Sequence, residues 1–541
     1  MSSALKAVQR PPLAAWLLAA AFVAAGLVAV QLRTFLNNEG VFTWMFAGLT
    51  SESPLELLFL LKARPPISLL YAPVAAIGFT PFLWAHVLVS ALAVPLTADL
   101  ARRLGHPRPL LAALLVASSP MFFAGAVAGV QNSEAVVGVV AVAWLLSRGQ
   151  PLAAGLLLGV VVIARVETAV FALALALWSL RTPAWRRLLP GAVALPALFA
   201  LAGALYHGDA LWPLHYPSSL FDNPAVSPEA RARYGGTPSD LVSTLLGLTP
   251  ALGLLLWWPV RAGTALERTL ICSALAFLVA IRILPFTHLV YVDASPRYVL
   301  PALPFLALGM ARAADALPAA GRGTLWRAAL LVGGGALLTT VMPDDVVRSL
   351  WAAVGLAVGP ALLALATPSA ALPALAAAAL ALTVAATVVP RELPLIWNTH
   401  LLLGGRARQL DEASAWITAN LPPGAVVVTD VHLLARWMDD QGAPPVDLRH
   451  VIEPDMRYEA RALTNPATRQ YEAIFGTRRF FYAPWIVVED IEALPGEVYF
   501  VMRTDRLTRS TVQLGAPFDR VEWERHDGWM AGRLPRPEPA R

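Results

Sequence analysis

The sequence predicts a polytopic α-helical membrane protein followed by a soluble α/β domain, and three observations lead there. Of the 541 residues, 57% are hydrophobic and 14% charged, with a mean hydropathy of +0.60, which is too little polar surface for a soluble globule. Apolar windows of about 20 residues, the length a bilayer-spanning helix needs, recur from Pro12 to Val389. From Arg391 onward they stop.

The first apolar run, Pro12 to Val30, follows a basic segment from Lys6 to Arg10. An A-x-A-like site between Ala19 and Ala25 admits a cleaved signal peptide, but the length of the run and the spans that follow favour a retained first helix. The clusters Arg102-Arg103-Arg108, Arg181-Arg186-Arg187, Arg261-Arg268 and Arg312-Arg322-Arg327 fall on one side if the N-terminus is cytoplasmic and the helices alternate, and that side is inside. About 13 spans satisfy this pattern: 12–31, 82–101, 109–127, 132–147, 151–164, 167–180, 188–206, 241–260, 269–285, 297–312, 327–342, 349–366 and 371–389. An odd number puts the C-terminal domain outside. The short spans 151–164 and 167–180 meet at Arg165 and Glu167, and their fusion into one helix would invert everything after them.

A net charge of +5 and a pI near 9.5 reflect the inside-loop arginines and give no support for a nucleic-acid partner. The only cysteine, Cys272, lies in an apolar span, so no internal disulfide forms and redox usage does not report a compartment.

Two outside loops are too long to be turns. The loop 32–81 carries "LRTFLNNEGVFTWMFAGL" and "LLFLLKARPPISLLYAPV", amphipathic enough to lie along the membrane, with Trp44, Phe46 and Tyr71 suited to the interface. The loop 207–240 is rich in Pro, Gly, aromatics and both signs of charge, and ordered loops of this length are usually functional. After residue 390 the composition is that of a soluble α/β domain, 391–541. "ARQLDEASAWITANL" has helical periodicity, and "AVVVTD", "EVYFVMRT" and "STVQL" read as strands.

Charges beside a bilayer are costly and call for a reason. Glu39 follows the first helix, Glu134 opens the fourth span, and Arg297 stands at the start of the tenth. Lys62, Arg64, the Arg165/Glu167 pair and the His207/Asp209 pair map to the same face of the membrane. This set matches group transfer from a lipid-linked phosphate to a hydroxyl: a carboxylate acts as base, with Glu39 the first choice. Arg297, Lys62 and Arg64 hold the phosphate charge. A divalent cation bridging carboxylate and phosphate is an alternative source of that stabilisation, with Glu39 its ligand. Bland readings stand beside these: a solvated acid at Glu39, a helix-dipole role for Glu134 and headgroup anchoring by Arg297, Lys62 and Arg64. Likewise, His207 and Asp209 could bond their own loop, and Arg165 and Glu167 form a structural pair.

These features, in order, resemble the GT-C glycosyltransferases, in particular bacterial relatives of protein O-mannosyltransferases and lipid A aminoarabinose transferases. The carriers are an acid soon after helix one, "PPISLLY", "YHGDALWPLHYP" and "RYVLPALPFLAL". The resemblance covers Met1 to about Val389 and implies a catalytic domain at 1–390 that transfers a sugar from a polyprenyl-phosphate donor to an extracytoplasmic acceptor, with inversion. Carried over, the catalytic acids are Glu39 and Glu134 and the phosphate-facing arginine is Arg297, with Lys62, Arg64 and Arg165 beside it. His207, Asp209 and Tyr298 are placed at the substrate. The implied location is a bacterial inner membrane, with the C-terminal domain periplasmic. Asn38-Glu39 stands where such proteins commonly carry Asp, often Asp-Glu, which leaves the base and any metal site open. The rival readings are a transporter or flippase and an inactive envelope-assembly scaffold.

Overall fold

The computed structural model describes residues 13–31, 38–51, 54–215, 261–287 and 296–316 of the membrane region, with a few positions between 248 and 259. Of the C-terminal region it describes 404–429, 441–452, 485–503 and 518–535, with short gaps, and positions around Trp437. The expected spans 327–342, 349–366 and 371–389, most of 241–260, most of the loop 207–240 and the strand "STVQL" lie outside the described residues.

Four described helical segments are long and apolar enough to cross a membrane: Leu13–Gln31, Phe79–Arg103, Trp185–His207 and Arg297–Ala316. A fifth is the pair Pro109–Ala117 and Met121–Val127, bent by 58°. In order, the helices are α1 (Leu13–Gln31), α2 (Asn38–Thr50), α3 (Pro54–Leu58), α4 (Pro65–Ala75), α5 (Phe79–Ala91), α6 (Ala93–Arg103), α7 (Pro109–Ala117) and α8 (Pro120–Val127). There follow α9 (Asn132–Ser147), α10 (Pro151–Ala164), α11 (Ala169–Ser179), α12 (Trp185–His207), α13 (Trp212–His215), α14 (Ala265–Thr287) and α15 (Leu303–Ala316).

The junction of α10 and α11 settles one ambiguity. Arg165 is extended, with φ −145° and ψ 94°, and a 3-10 turn at Val166–Thr168 follows, so the two segments are separate helices. Prolines and glycines let the bundle close: a side chain at Gly155 would fall on the backbone of Leu188 and Gly191, so α10 and α12 lie backbone to backbone.

The loop 32–81 departs from expectation. Trp44, Phe46 and Tyr71 do not face outward, as residues anchored in lipid headgroups would, but are fully buried within the protein. α2 packs on α4, Trp44 Nε1 donates to Ala75 O at 3.0 Å, and its ring meets Phe79 at 5.1 Å. The outward residues are aliphatic instead, with Leu55, Leu69, Leu70 and Ile77 exposed. Burying the aromatics removes more apolar area from water than aliphatic side chains would, and it fixes α2, the helix that carries Glu39, onto the bundle. At the foot of α2, Gly40 lies against the turn Ala128–Gly129, where a Cβ would fall on Ala128 O. Gly129 has φ +73°, so only glycines allow this approach. Gly40→Ala is expected to cost about 1–3 kcal/mol through overpacking and to lower the Tm of the detergent-solubilised protein. An unchanged Tm would show that the approach has slack.

Ion pairs mark two opposite ends of the bundle. At one end Asp99 is bound by Arg102, by Arg103 Nε at 2.7 Å and by Trp144 Nε1 at 2.8 Å. Nearby, Arg312 forks onto Glu267 at 3.0 and 2.9 Å, His106 Nε2 lies 3.1 Å from Glu267, and Arg108 meets Asp315 at 2.6 Å. Arg297 and Arg312 are separated by most of a helix, roughly 20 Å at 1.5 Å per residue, so Arg297 and its partners occupy the other end.

The C-terminal domain is a six-stranded sheet of order β3-β2-β1-β4-β6-β5: β1 (Val426–Thr429), β2 (Asp447–Ile452), β3 (Trp485–Val487), β4 (Val498–Arg503), β5 (Glu522–Arg525) and β6 (Trp529–Arg533). β1 pairs in parallel with β2 and β4, and β6 is antiparallel to β4. The run VVVT is buried throughout, as a central parallel strand requires, and α16 (Gly404–Asn420) precedes it, as the periodicity predicts. Trp437 of this domain meets Phe79 at 5.8 Å, next to Trp44 of α2.

Candidate active site

Three segments far apart in the chain bring charge to one place. Arg165, 2% exposed, donates from Nη1 to Glu39 Oε1 at 2.8 Å and from Nε to Glu167 Oε1 at 2.6 Å. Arg297 Nε lies 3.0 Å from Glu39 Oε2. Tyr298 sits between the guanidiniums, 5.2 Å from that of Arg165 and 5.4 Å from that of Arg297, where cation–π attraction orients both. Nη1 of Arg165 also reaches Gln131 Oε1 at 3.5 Å. Nη2 of Arg165 is buried with no hydrogen-bond partner among the described residues.

Arg64 joins the cluster electrostatically. It is the one described non-glycine residue at positive φ, with φ 51° and ψ 66°, directly before Pro65, a placement that costs roughly 1–3 kcal/mol and persists only where the surroundings enforce it. Burial, and then the like charge of Arg165, push its proton affinity below the ordinary arginine value, with Glu167, Tyr298 and Glu39 opposing. Three guanidiniums thus face two carboxylates.

Glu39 is held in its charged form. Burial alone would raise its proton affinity, but Arg297, Arg165 and Arg64, together with the hydrogen bond from Arg165, outweigh it and leave the carboxyl below its usual value. That is the less favourable direction for a base working near neutrality, and the geometry makes Glu39 a carboxylate that binds the arginines together. The donor set does not fit a divalent cation either. Guanidiniums surround Glu39, and among the described residues no group of three or more His, Cys, Asp or Glu converges, whereas such cations need several oxygen ligands.

Glu134, His207 and Asp209 fall outside this cluster. Glu134 is in the first turn of α9, three residues beyond Gln131, and belongs to a second cluster with Tyr71 and His86. His207 Nε2 lies 3.2 Å from Phe59 O and Asp209 Oδ1 accepts from Leu211 N at 2.9 Å, so both bond within their own surroundings. Phe59 in turn packs on Tyr206, His207 and Trp212, bracing the loop that leads to Arg64. Lys62 is in the 3-10 turn Leu61–Ala63, and its side chain lies outside the described residues. Sequence reasoning missed His86 and Gln131. The signal for His86 was available, as a titratable residue within the apolar run "FLWAHVLVSA".

A helical domain carrying a charged cluster at one end, followed by a sheet domain, is a fold this chain shares with solved structures. The chain is similar to ArnT from Cupriavidus metallidurans bound to undecaprenyl phosphate, at 15% identity over 96% of this chain and 97% of that one, with a TM-score of 0.61. It is similar also to the apo state of that protein, at 16% identity, 96% and 98% coverage and a TM-score of 0.57. At such identity the likeness is one of fold, and there the resemblance read from the motifs holds. No protein-family model matches the sequence, and no curated protein matches it significantly.

Proposed function

We propose that this protein is a membrane glycosyltransferase that moves a hexosyl or pentosyl group from a polyprenyl-phosphate donor to a hydroxyl of an extracytoplasmic acceptor, with inversion. The observation that carries this reading is the cluster of Arg64, Arg165 and Arg297 against Glu39 and Glu167. It holds one positive charge beyond neutrality and a spare buried N–H on Arg165, and a buried excess of donors calls for an anion. A phosphate linked to a lipid meets that demand at a membrane surface, and the undecaprenyl phosphate held by the ArnT structure supports the choice. In the reaction the acceptor oxygen bonds to the anomeric carbon. The bond from that carbon to the phosphate oxygen breaks with its electron pair, and the lipid phosphate leaves with its charge spread over the arginines.

Around this centre we place about 13 spans, a cytoplasmic N-terminus and a periplasmic domain at 391–541, in a bacterial inner membrane. A transporter would carry its charges near the midplane on broken helices, and here the unneutralised ones gather at one end. Purified protein incubated with radiolabelled polyprenyl-phosphate sugars and envelope extract is expected to label an acceptor and release polyprenyl phosphate. Movement of donor across vesicle leaflets without label transfer would hand the case to the transporter, and neither outcome to the scaffold.

A further inference from the structure

Glu134, Tyr71 and His86 form a second buried cluster. The Glu134 side chain is 8% exposed and that of His86 fully buried. The Tyr71 hydroxyl donates to Glu134 Oε1 at 2.5 Å, and His86 Nε2 lies 2.7 Å from the same oxygen. The other ring nitrogen, Nδ1, is 2.7 Å from Ala126 O. A carbonyl only accepts, so Nδ1 carries a hydrogen, and Nε2 and Oε1 share a further proton between them. Oε1 is therefore saturated. Oε2 is buried and has no hydrogen-bond partner among the described residues, a state that costs about 1–3 kcal/mol unless something donates to it.

The cluster lies directly behind the arginines. Gln131, which touches Arg165, is three residues before Glu134 and so on the same helical face. Gly40, next to Glu39, packs on the Ala128–Gly129 turn that leads into α9. Among the described residues, the charged and titratable groups at this end of α9 are Tyr71 from α4, His86 from α5, Glu39 from α2, Arg64 before α4, Arg165 and Glu167 after α10, and Arg297 with Tyr298 at the entry to α15.

The two carboxylates are thus prepared differently. Both oxygens of Glu39 are taken by guanidiniums, whereas Glu134 has one oxygen locked and one free. We infer that Glu134 Oε2 is the proton acceptor for the attacking hydroxyl, and that Tyr71 and His86 are positioning residues that hold Oε1 and so aim Oε2 at the acceptor. This rests on the lipid-phosphate sugar reading above. As the acceptor oxygen bonds to the anomeric carbon and the phosphate leaves, the hydroxyl proton passes to Oε2. The neutral carboxylic acid then keeps Oε1 as an acceptor for Tyr71 and His86. The ligand at this position is a neutral hydroxyl, since an anion would face the carboxylate.

Transfer is measured against pH, from about 5 to 9, with a labelled polyprenyl-phosphate sugar, beside direct binding of labelled polyprenyl phosphate. Glu134→Gln is expected to lower kcat by about 10²–10⁴-fold, with the donor bound as in wild type and the acidic limb of the profile gone. Tyr71→Phe and His86→Gln are expected to move that limb and lower kcat by roughly 10-fold while donor KM stays put. Glu39→Gln is expected to keep the limb. The inference fails if Glu134→Gln retains the wild-type profile, or if Tyr71→Phe and His86→Gln change Tm alone. A wild-type protein that neither binds the lipid phosphate nor transfers sugar overturns the reading beneath it as well.

Discussion

Arg165→Ala is expected to be the most destabilising single substitution in the membrane domain. It leaves Glu39 and Glu167, both mostly buried, without the guanidinium that bridges them. Removing one partner of a buried ion pair typically costs about 3–5 kcal/mol, because the remaining charge stays out of water without compensation. Tm of the detergent-solubilised variant should fall accordingly. Neutralising the pair tests the cause. In Arg165→Met/Glu167→Gln one charge of each sign goes together and Glu39 keeps Arg297 and Arg64, and replacing a buried ion pair by neutral residues of similar volume is often close to neutral for stability. Most of the lost Tm should return while sugar transfer does not. A double variant as unstable as Arg165→Ala would mean that packing, not charge, dominates at this position.

How much of this was legible in the sequence depends on range. α1, α12 and α16 show themselves through unbroken apolar length or helical period, which are local properties. The break at Arg165 is visible as charge within an apolar stretch. What local pattern cannot supply is partnership. Glu39 and Arg165 are 126 residues apart, and Tyr71 and Glu134 are 63 apart, so sequence placed them on one face of the membrane without saying which would touch. The misplacement of Trp44, Phe46 and Tyr71 has the same root. An aromatic residue at an interface and one buried under a neighbouring helix follow the same local pattern, and only the packing of α2 on α4 separates them. Glu39 was read as a base because an acid in that loop invites it, and its pairing with two arginines, neither of them adjacent in sequence, needs the fold.

Arg297→Ala should have the largest effect on activity at the smallest cost to the fold. Arg165 bridges two carboxylates, whereas Arg297 lies against Glu39, and Arg165 continues to neutralise that acid when Arg297 is gone. The cluster then has as many carboxylates as guanidiniums and no surplus charge for an incoming phosphate. Loss of one preorganised donor to a charge that develops in the transition state typically lowers kcat by about 10²–10³-fold, and donor KM should rise because the ground-state phosphate is also an anion. Arg297→Lys separates charge from geometry: the ammonium restores a point charge but not the planar fork or the contact with Tyr298, so binding should recover more than turnover. Initial rates against donor concentration, with labelled polyprenyl phosphate binding at low and high salt, read both quantities. Unaltered turnover in Arg297→Ala would remove this residue from the phosphate site, and with it the charge count on which the glycosyltransferase reading stands.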